Sequence, residues 1–358
     1  MLLLLILLIY SFGIFILGIK FAGADELSLE KKESMPTISL LIPFKNEAHN
    51  LNNILSDILK IDYPKDKLQV IFINDNSDDD GEKIISNSNI ENIKLVNLED
   101  EQGKKQALKK GLEFAHGEII IHTDADVRLN KNWIWTYVNN FKNDNVLVFG
   151  SVIFANEKSV FEKLQTIELL SLTGIAASTG LINKPILMSG ANFAYKAELK
   201  QDFVESINNI ASGDDMFFLE RIKKLYPKRI MYAKHPDNIV RTRAEQSLKS
   251  FFNQRVRWAG KTKNMSDNDV LIAGVLSFLA NLIVVGLFIA SMFNTHFLRP
   301  AILFVGIKFL FEFVTLLIYA KYFNKLSYLM LFPILFVLYP FYITIVSVSS
   351  LFLNPKWK

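Results

Sequence analysis

The chain has no cysteine among its 358 residues. Disulfides and metal sites built from thiolates are therefore excluded. A strong net charge is also lacking, because 40 lysines and arginines face 36 aspartates and glutamates, which gives a formal net charge of +4. The basic residues are spread along the sequence, whereas a nucleic-acid-binding groove needs them clustered. We therefore expect no nucleic-acid partner, and the mild positive bias suits a surface of anionic lipid.

Charged side chains are also absent from residues 1–19, where nearly every position is Leu, Ile, Phe, Tyr or Gly. Such a run is long enough to cross a bilayer as a helix. The Ala-Gly-Ala sequence at residues 22–24 leaves a second interpretation open, a cleaved signal peptide. That interpretation is the weaker one, because a signal peptide begins with positive charge and Lys20 here follows the apolar run. We predict an N-terminal transmembrane helix within residues 1–22.

Three more apolar runs follow the polar middle of the chain. They comprise residues 270–293, 301–320 and 327–353. Each is long enough to span a bilayer, so four spans are predicted in all. Lys308 and Glu312 lie four residues apart in the second of these runs, hence on one face of a helix. Because charge is costly in a membrane, we expect them to pair and point inward, with a structural role favoured over one beside a lipid or glycan path.

Lysines flank the polar middle next to the first and second spans, as Lys20, Lys31, Lys32, Lys261 and Lys263. By the positive-inside rule the middle is expected in the cytoplasm. Lys356 and Lys358 would then lie outside, which is a small departure from that rule. We expect an integral protein of a bacterial inner membrane, and the sequence leaves its oligomeric state open.

The polar middle alternates short apolar strands with helix-like stretches. The strands are predicted at residues 37–43, 68–74, 92–98 and 118–123, and the helices between them at 47–59, 79–87 and 104–115. This alternation predicts an α/β fold with a mostly parallel sheet and helices on both faces. The expected organisation is a catalytic domain at 36–240, an amphipathic segment at 241–268 and membrane helices at 270–353. Ligands bind such sheets outside the carboxyl ends of the strands.

Two carboxylates follow the fourth strand, Asp124 and Asp126. In an extended or turning backbone, side chains two residues apart can face one site. A hard cation, Mg²⁺ or Mn²⁺, uses one or two carboxylates and completes its shell with water and phosphate oxygens. Such a cation stabilises the charge of a departing diphosphate. The alternative is an Asx-turn that leads into the helix near Asn130.

Two further residues suit a nucleotide. Asp75 ends the second strand and could accept hydrogen bonds from a base or ribose. The alternative is turn and capping chemistry, which Ser77 and residues 78–80 could supply, and the two interpretations are compatible. Lys104 begins the third helix, where its charge adds to the helix amides in favour of a phosphate. A solvated lysine is the commoner case.

Asp214 and Asp215 precede an apolar helix-like stretch, residues 216–225. One of them could serve as a general base, because carboxylates that share a site can have one pKa raised. The alternative is that both complement the helix dipole.

The stretch at residues 247–261 combines apolar residues with Gln254, Arg257 and Trp258. An amphipathic helix on the membrane surface explains its pattern. It does not account for the two arginines that lie beside aromatic residues in this stretch. The planar guanidinium group of arginine is suited to binding phosphate.

These motifs, in this order, resemble the family 2 glycosyltransferases with the GT-A fold, in the membrane branch that includes cellulose, chitin and hyaluronan synthases and ceramide glucosyltransferase. The resemblance covers about residues 36–264. It implies donor contacts, metal ligation, acceptor contacts and a general base. The implied donor-binding residues are Pro43, Asn46, Glu47, Asp75, Lys104, Asp124, Gln254 and Arg257. The implied metal ligands are Asp126 and Asp124, the acceptor-side residues are Gly190, Ala191, Asn192 and Trp258, and the catalytic pair is Asp214 and Asp215, with Asp215 as the base.

The resemblance also implies an inverting transfer from a nucleotide sugar in cell-envelope polysaccharide or glycolipid synthesis. A UDP-sugar is the expected donor. Asn74 stands where many members carry another Asp, and four spans are fewer than in the large polymer synthases. We therefore expect a lipid or lipid-linked acceptor. A processive polysaccharide synthase is the alternative, and a non-catalytic nucleotide-binding membrane scaffold is a third hypothesis.

Overall fold

The computed structural model describes residues 2–31, 35–99, 102–141, 144–207, 213–261 and 265–353. Lys32, Lys263, Lys356 and Lys358, on which part of the expected membrane orientation depends, lie outside these ranges. The chain divides into two compact units. We call them the sheet unit, which comprises Asp25–Ala155 and Met188–Arg243, and the helical unit, which comprises Met1–Ala24, Asn156–Leu187 and Ala244–Lys356.

The sheet unit contains a seven-stranded sheet of order β3-β2-β1-β4-β7-β5-β8 and a two-stranded sheet of β6 and β9. The strands are β1 Ile38–Phe44, β2 Leu68–Asn74, β3 Ile93–Asn97, β4 Ile119–His122, β5 Leu147–Phe149, β6 Val152–Phe154, β7 Phe193–Lys196, β8 Ile230–Tyr232 and β9 Val240–Thr242. Strands β1 to β4 pair in parallel, whereas β7 is antiparallel to both of its neighbours. The predicted α/β fold with a mostly parallel sheet is confirmed.

The central strands are mostly apolar because both faces of the sheet are covered. Every residue of β1 is buried, and in β2 only Gln69 is partly exposed. A parallel sheet between helices needs such continuous apolar runs instead of alternation. Pro43 is tolerated in β1 because it lies beyond Leu41, the last residue of β1 that pairs with β4.

Six helices of the sheet unit are described. They are α2 Ala48–Lys60, α3 Gly81–Ser86, α4 Lys104–Glu113, α5 Trp133–Asn140, α7 Lys200–Ser206 and α8 Asp214–Leu225. In α2 the buried residues Leu51, Ile54, Leu55 and Ile58 recur at helical spacing. They join β1 and β2 in one hydrophobic core, so the same apolar stripe that predicts the helix also fixes its packing.

The helical unit contains α1 Leu2–Gly23, α6 Val160–Leu181, α9 Leu248–Lys261, α10 Asn268–Phe293, α11 Leu298–Tyr322 and α12 Phe332–Phe352. Four helical segments in the described ranges are long and apolar enough to cross a membrane, at Leu3–Gly23, Asn268–Phe293, Thr295–Tyr322 and Leu326–Phe352. They coincide with the four predicted spans. Lys308 and Glu312 form the expected ion pair at 2.6 Å, and the Tyr10 hydroxyl donates to Glu312 at 2.8 Å.

Helix α6 was not predicted from the sequence. It begins with a capping box, in which the Ser159 hydroxyl accepts from the Glu162 amide while the Glu162 carboxylate accepts from the Ser159 amide. The Ser-x-x-Glu spacing is a signal that could have found it. Because α6 belongs to the helical unit, it interrupts the continuous domain expected at residues 36–240.

Close backbone packing at Gly117 yields a stability prediction. A Cβ atom there would lie 2.6 Å from the carbonyl carbon of Ile38, next to the backbone nitrogen of Ser39. Backbone atoms cannot rotate away, so Gly117→Ala should lower the free energy of unfolding by about 1–3 kcal/mol. Chemical denaturation of the purified protein measures the loss. Gly274→Ala in α10 is the control, because its methyl group meets nothing within 4 Å. Equal stability of the two variants would contradict the packing argument.

Candidate active site

The polar segments that follow β1, β2 and β4 meet at one edge of the sheet, because these strands are parallel and adjacent in the order β2-β1-β4. The segment after β1 contains Asn46 and Glu47, Asp75 follows β2 directly, and Asp124 and Asp126 follow β4. The amide of Asp75 donates to the carbonyl oxygen of Phe44 at 2.9 Å, which joins the first two of these segments. The sequence-predicted convergence at the carboxyl ends of the strands is present.

The loop after β1 is held in shape by its own polar groups. Asn46 has a φ of 55°, in the left-handed region that Asn tolerates better than most residues. Its amide donates to the Ser77 hydroxyl at 3.0 Å, and its side-chain oxygen accepts from the Asp78 amide at 2.8 Å. Glu47 accepts from the Asn50 side chain at 2.7 Å. Asn46 therefore shapes the loop through contacts with the segment after β2.

Asp75 is buried, with 1% of its surface exposed, yet its carboxylate is only half used. The Oδ1 atom accepts from the Gly103 amide at 2.8 Å. The Oδ2 atom has no hydrogen-bond partner among the described residues, and the Lys45 ammonium nitrogen is 3.9 Å away. Buried polar atoms normally have a partner. Asp75 thus has one carboxylate oxygen whose hydrogen-bonding capacity is unused among the described residues.

Lys104 lies at the start of α4 among carboxylates from two other motifs. Its ammonium group pairs with Asp124 Oδ1. Burial alone would lower the pKa of Lys104, but the charges of Asp124, Asp214 and Asp215 outweigh it and raise the pKa above its ordinary value. The segments that contain Lys104, Asp124 and the pair Asp214 and Asp215 therefore interact electrostatically.

Asp126 is the second carboxylate after β4, and its Oδ2 atom accepts from the Thr242 hydroxyl of β9 at 3.0 Å. Desolvation by surrounding protein atoms, followed by the charges of Asp124 and Glu47, raises the pKa of Asp126 to about 6. The Asp126 side chain is exposed to solvent at this edge of the sheet, close enough to Asp124 for the two negative charges to repel each other. A cation bound here would relieve their repulsion.

The donor set fits a divalent cation that shares its coordination with a ligand. Among the described residues no group of three or more Asp, Glu or His side chains forms a metal site. A cation that takes only one or two protein carboxylates and otherwise binds water and phosphate needs no such group. Asp124 and Asp126 supply oxygen ligands of the kind that Mg²⁺ and Mn²⁺ prefer.

Asp214 and Asp215 form the first turn of α8, and both are buried. Gly213, with a φ of 107°, allows the chain to enter the helix at this point. Asp215 Oδ1 accepts from the Met216 amide at 2.9 Å, and Oδ2 accepts from the Gly190 amide at 3.0 Å. The pair thus complements the helix dipole, as the alternative interpretation expected, and the Asp215 carboxylate also has a fixed orientation.

The predicted acceptor-side residues divide into two kinds. Gly190 contacts Asp215, and the carbonyl oxygen of Ala191 accepts from the buried Thr123 hydroxyl at 2.9 Å, so this loop lies beside Asp215 of the predicted catalytic pair. Asn192, in contrast, is fully buried. Its oxygen accepts from Trp133 and Tyr137, and its nitrogen donates to the carbonyl oxygens of Ser151 and Asn238. All of its hydrogen-bonding capacity is used internally, and we therefore reassign Asn192 from acceptor binding to the core.

Gln254, Arg257 and Trp258 lie on α9 in the helical unit, as the amphipathic pattern predicted. Gln254 donates to the Glu245 carboxylate at 2.9 Å. Desolvation lowers the pKa of Arg257, and the charge of Glu245 opposes that shift. A guanidinium group remains protonated under such a shift, so Arg257 remains available as a cation.

Sequence reasoning missed three residues that hold the predicted ones. Thr123 fixes the Ala191 carbonyl group, Thr242 fixes Asp126, and Gly213 begins α8. The glycine directly before two aspartates could have been recognised as a helix start. The threonines gave no local signal, because their partners are 68 and 116 residues away in the sequence.

The reassignment of Asn192 predicts that Asn192→Asp destabilises the fold. The substitution replaces the side-chain NH₂ group by a carboxylate oxygen, so both hydrogen bonds to the carbonyl oxygens of Ser151 and Asn238 are lost and a negative charge faces these oxygens. The free energy of unfolding should fall by about 3 kcal/mol or more. Thermal unfolding should show this loss, whereas Asn52→Asp on the exposed face of α2 is the control. A stable Asn192→Asp variant with impaired acceptor use alone would restore the original assignment.

Comparison with known proteins finds a matching family domain, similar sequences and a similar fold. Residues 39–202 match the glycosyl transferase family 2 domain. Poly-beta-1,6-N-acetyl-D-glucosamine synthase of Staphylococcus aureus is 28% identical over 244 residues, which cover 65% of this chain and 57% of that protein. The synthase of the same name from Staphylococcus epidermidis is 29% identical over 231 residues, which cover 62% of this chain and 53% of that protein. The chain thus matches little more than half the length of these relatives.

A solved structure shares the fold over nearly the whole chain. It is a mannosyltransferase from Pyrobaculum calidifontis in complex with GDP-Man and Mn²⁺, with a TM-score of 0.60, 16% identity and 98% coverage of both chains. At this identity the similarity concerns the fold. The expected GT-A-type α/β fold and the resemblance to family 2 are therefore confirmed: residues 39–202 match the glycosyl transferase family 2 domain, and the fold extends over nearly the whole chain.

Proposed function

We propose that the protein is a membrane-bound inverting glycosyltransferase that moves a sugar from a nucleotide-sugar donor to a hydroxyl group of a lipid or lipid-linked acceptor. The observation that carries this proposal is the position of Lys104, which is paired with Asp124 and lies in the field of Asp214 and Asp215. A transferase needs its donor-phosphate, metal-binding and base groups close together. The catalytic domain is proposed to face the cytoplasm.

The donor half of the site is proposed to lie at the carboxyl ends of β1 and β2. The available Oδ2 atom of Asp75 would accept a hydrogen bond from the nucleoside, and the Pro43–Glu47 loop would line its other side. Lys104 at the start of α4 would meet the diphosphate. Asp126 and Asp124 would hold Mg²⁺ or Mn²⁺, whose charge would stabilise the departing diphosphate.

The transfer itself is proposed as a single displacement. The acceptor oxygen attacks the anomeric carbon, the bond from that carbon to the diphosphate breaks, and the hydroxyl proton moves to the Asp215 carboxylate. Backbone amides of Gly190 and Met216 hold that carboxylate in one orientation, which is what a general base requires. Attack opposite the leaving group inverts the configuration, so an α-linked donor gives a β-linked product.

Asp214 and three residues of α9, Gln254, Arg257 and Trp258, complete the proposal. Asp214 adds to the negative charge that Lys104 balances. On the family resemblance, Gln254 and Arg257 serve the donor diphosphate, and Trp258 serves the acceptor. Gly190 and Ala191 belong to the acceptor side through their position beside Asp215.

Processive polysaccharide synthesis is the second candidate function, and one observation favours it. The Staphylococcus relatives are named as synthases of a poly-β-1,6-N-acetyl-D-glucosamine. The four apolar segments of the described residues, however, offer little membrane protein with which to enclose a growing polymer. We therefore place single transfer to a membrane lipid first. A non-catalytic scaffold is third.

The proposed activity predicts metal-dependent sugar transfer by the purified full-length chain. The donors to test are UDP-N-acetylglucosamine, UDP-glucose and GDP-mannose, each with Mn²⁺ or Mg²⁺ and a membrane-lipid extract. We expect release of the nucleotide, sugar on a lipid product and loss of both on chelation with EDTA. A polymer ladder would replace single transfer by processive synthesis. Metal-dependent nucleotide binding without any turnover would favour the scaffold.

The proposed roles predict opposite defects in two variants. Asp215→Asn keeps the shape of the side chain but cannot accept the proton, so turnover should fall about 10²–10⁴-fold with nucleotide binding retained. Asp126→Ala should instead weaken metal-dependent nucleotide binding, measured by calorimetry. Asp80→Asn, in an exposed pair with Lys83, is the matched control for loss of a carboxylate. If Asp215→Asn retained most of the wild-type turnover, Asp215 would not be the base.

A further inference from the structure

The α9 helix contains a second arginine, Arg255, to which the resemblance to family 2 assigned no role. It is 3% exposed, which is unusual for a side chain that always carries charge. Its Nε and Nη2 atoms donate to Glu168 Oε2 of α6 at 3.0 and 2.8 Å. Removing a charge from water is costly unless it is paired and hydrogen-bonded, and here both conditions are met.

Two aromatic rings of α9 enclose the same guanidinium group. Its central carbon lies 4.5 Å from the ring centre of Phe251 and 4.4 Å from that of Trp258. These residues are four positions before and three positions after Arg255, so all three side chains lie on one face of the helix. Stacking on a planar guanidinium is favourable and depends on geometry, so it fixes the plane of the Trp258 indole.

A third contact of Arg255 fixes the side chain of Gln254. Arg255 Nη1 donates to the side-chain oxygen of Gln254, whose nitrogen donates to Glu245 at 2.9 Å. Glu245 in turn exchanges two hydrogen bonds with Gln165 of α6, at 2.8 and 3.1 Å. The amide plane of Gln254 is therefore held from both ends.

Glu168 also receives a hydrogen bond from outside α9. The Tyr342 hydroxyl of α12 donates to its second oxygen, Oε1, at 3.2 Å. The ring of Tyr342 stacks on Phe251 with 5.4 Å between centroids. Helices α6, α9 and α12 thus meet around one buried ion pair.

We propose that Arg255 is a positioning residue: with Glu168 as its fixed counterion, it sets the orientation of Gln254 and Trp258 for sugar transfer. The requirement for an arginine is chemical. A lysine would preserve the charge that Glu168 needs, but it lacks the fork that reaches Glu168 and Gln254 together and the plane that stacks on both rings. The part of this proposal that concerns turnover rests on the proposed function.

The test compares Arg255→Lys with wild type in the full-length chain, by fluorescence and by turnover. Acrylamide quenching of Trp258 is obtained as the difference between each protein and the same protein with Trp258→Phe. We expect Arg255→Lys to raise the quenching of Trp258 and to shift its emission. Turnover, with the donor that the wild type uses, should fall on the order of 10²-fold, as for other misplaced active-site groups.

Glu168→Gln is the second variant and keeps the test decisive if Arg255→Lys does not fold. It leaves an oxygen acceptor but removes the charge. We therefore expect the same increase in Trp258 quenching and the same kind of loss of turnover, both smaller than in Arg255→Lys. Glu157→Gln is the matched control, because Glu157 forms a buried pair with Lys325 in the same unit, at 2.7 Å, and is 2% exposed. It should lose thermal stability without a change in Trp258 quenching or in turnover.

Three outcomes would overturn the proposal. The first is Trp258 quenching unchanged in a folded Arg255 or Glu168 variant, and the second is turnover within twofold of wild type despite a change in quenching. The third is a loss of turnover in Glu157→Gln as large as in Glu168→Gln. If the wild type transfers no sugar from any donor, the proposed function fails, and the quenching comparison still decides whether Arg255 positions Trp258.

Discussion

The electrostatic balance around Lys104 is the interaction on which the candidate site depends most. Asp124, Asp214 and Asp215 come from two distant segments, and their charges would repel one another without a cation among them. A lysine at the start of α4 supplies that cation at the edge where the parallel strands end. The same balance would suit the proposed nucleotide-sugar donor, because its diphosphate would compete with the carboxylates for Lys104 and a divalent ion would then balance their charge.

The surroundings of two carboxylates fit the different roles proposed for them. Asp215 accepts from two backbone amides and is oriented, which suits the proposed general base. Asp126 accepts from the Thr242 hydroxyl and is exposed to solvent, which suits the proposed binding of an exchangeable cation. Neither of these surroundings can be read from the motif itself.

The helical unit relies on buried ion pairs, as Arg255 with Glu168, Lys325 with Glu157 and Lys308 with Glu312 show. Such pairs add little net stability, but a helix shifted by one residue would leave two charges unpaired in a low-dielectric interior. They therefore specify how the helices align. For α9 this matters to function, because the alignment set at Arg255 also orients Gln254 and Trp258.

Features that depend on local pattern could be predicted from the amino-acid sequence. Continuous apolar runs specify buried parallel strands and membrane-spanning helices, and polar residues directly after a strand must lie at its end, which placed Asp75, Asp124 and Asp126. Features that depend on distant partners became visible only in the folded chain. Asn192 became a core residue because Trp133, Tyr137 and Asn238 surround it, and Arg255 became a buried cation because α6 brings Glu168 to it. A side chain's role follows from its neighbours, and neighbours far apart in the sequence meet only when the chain folds.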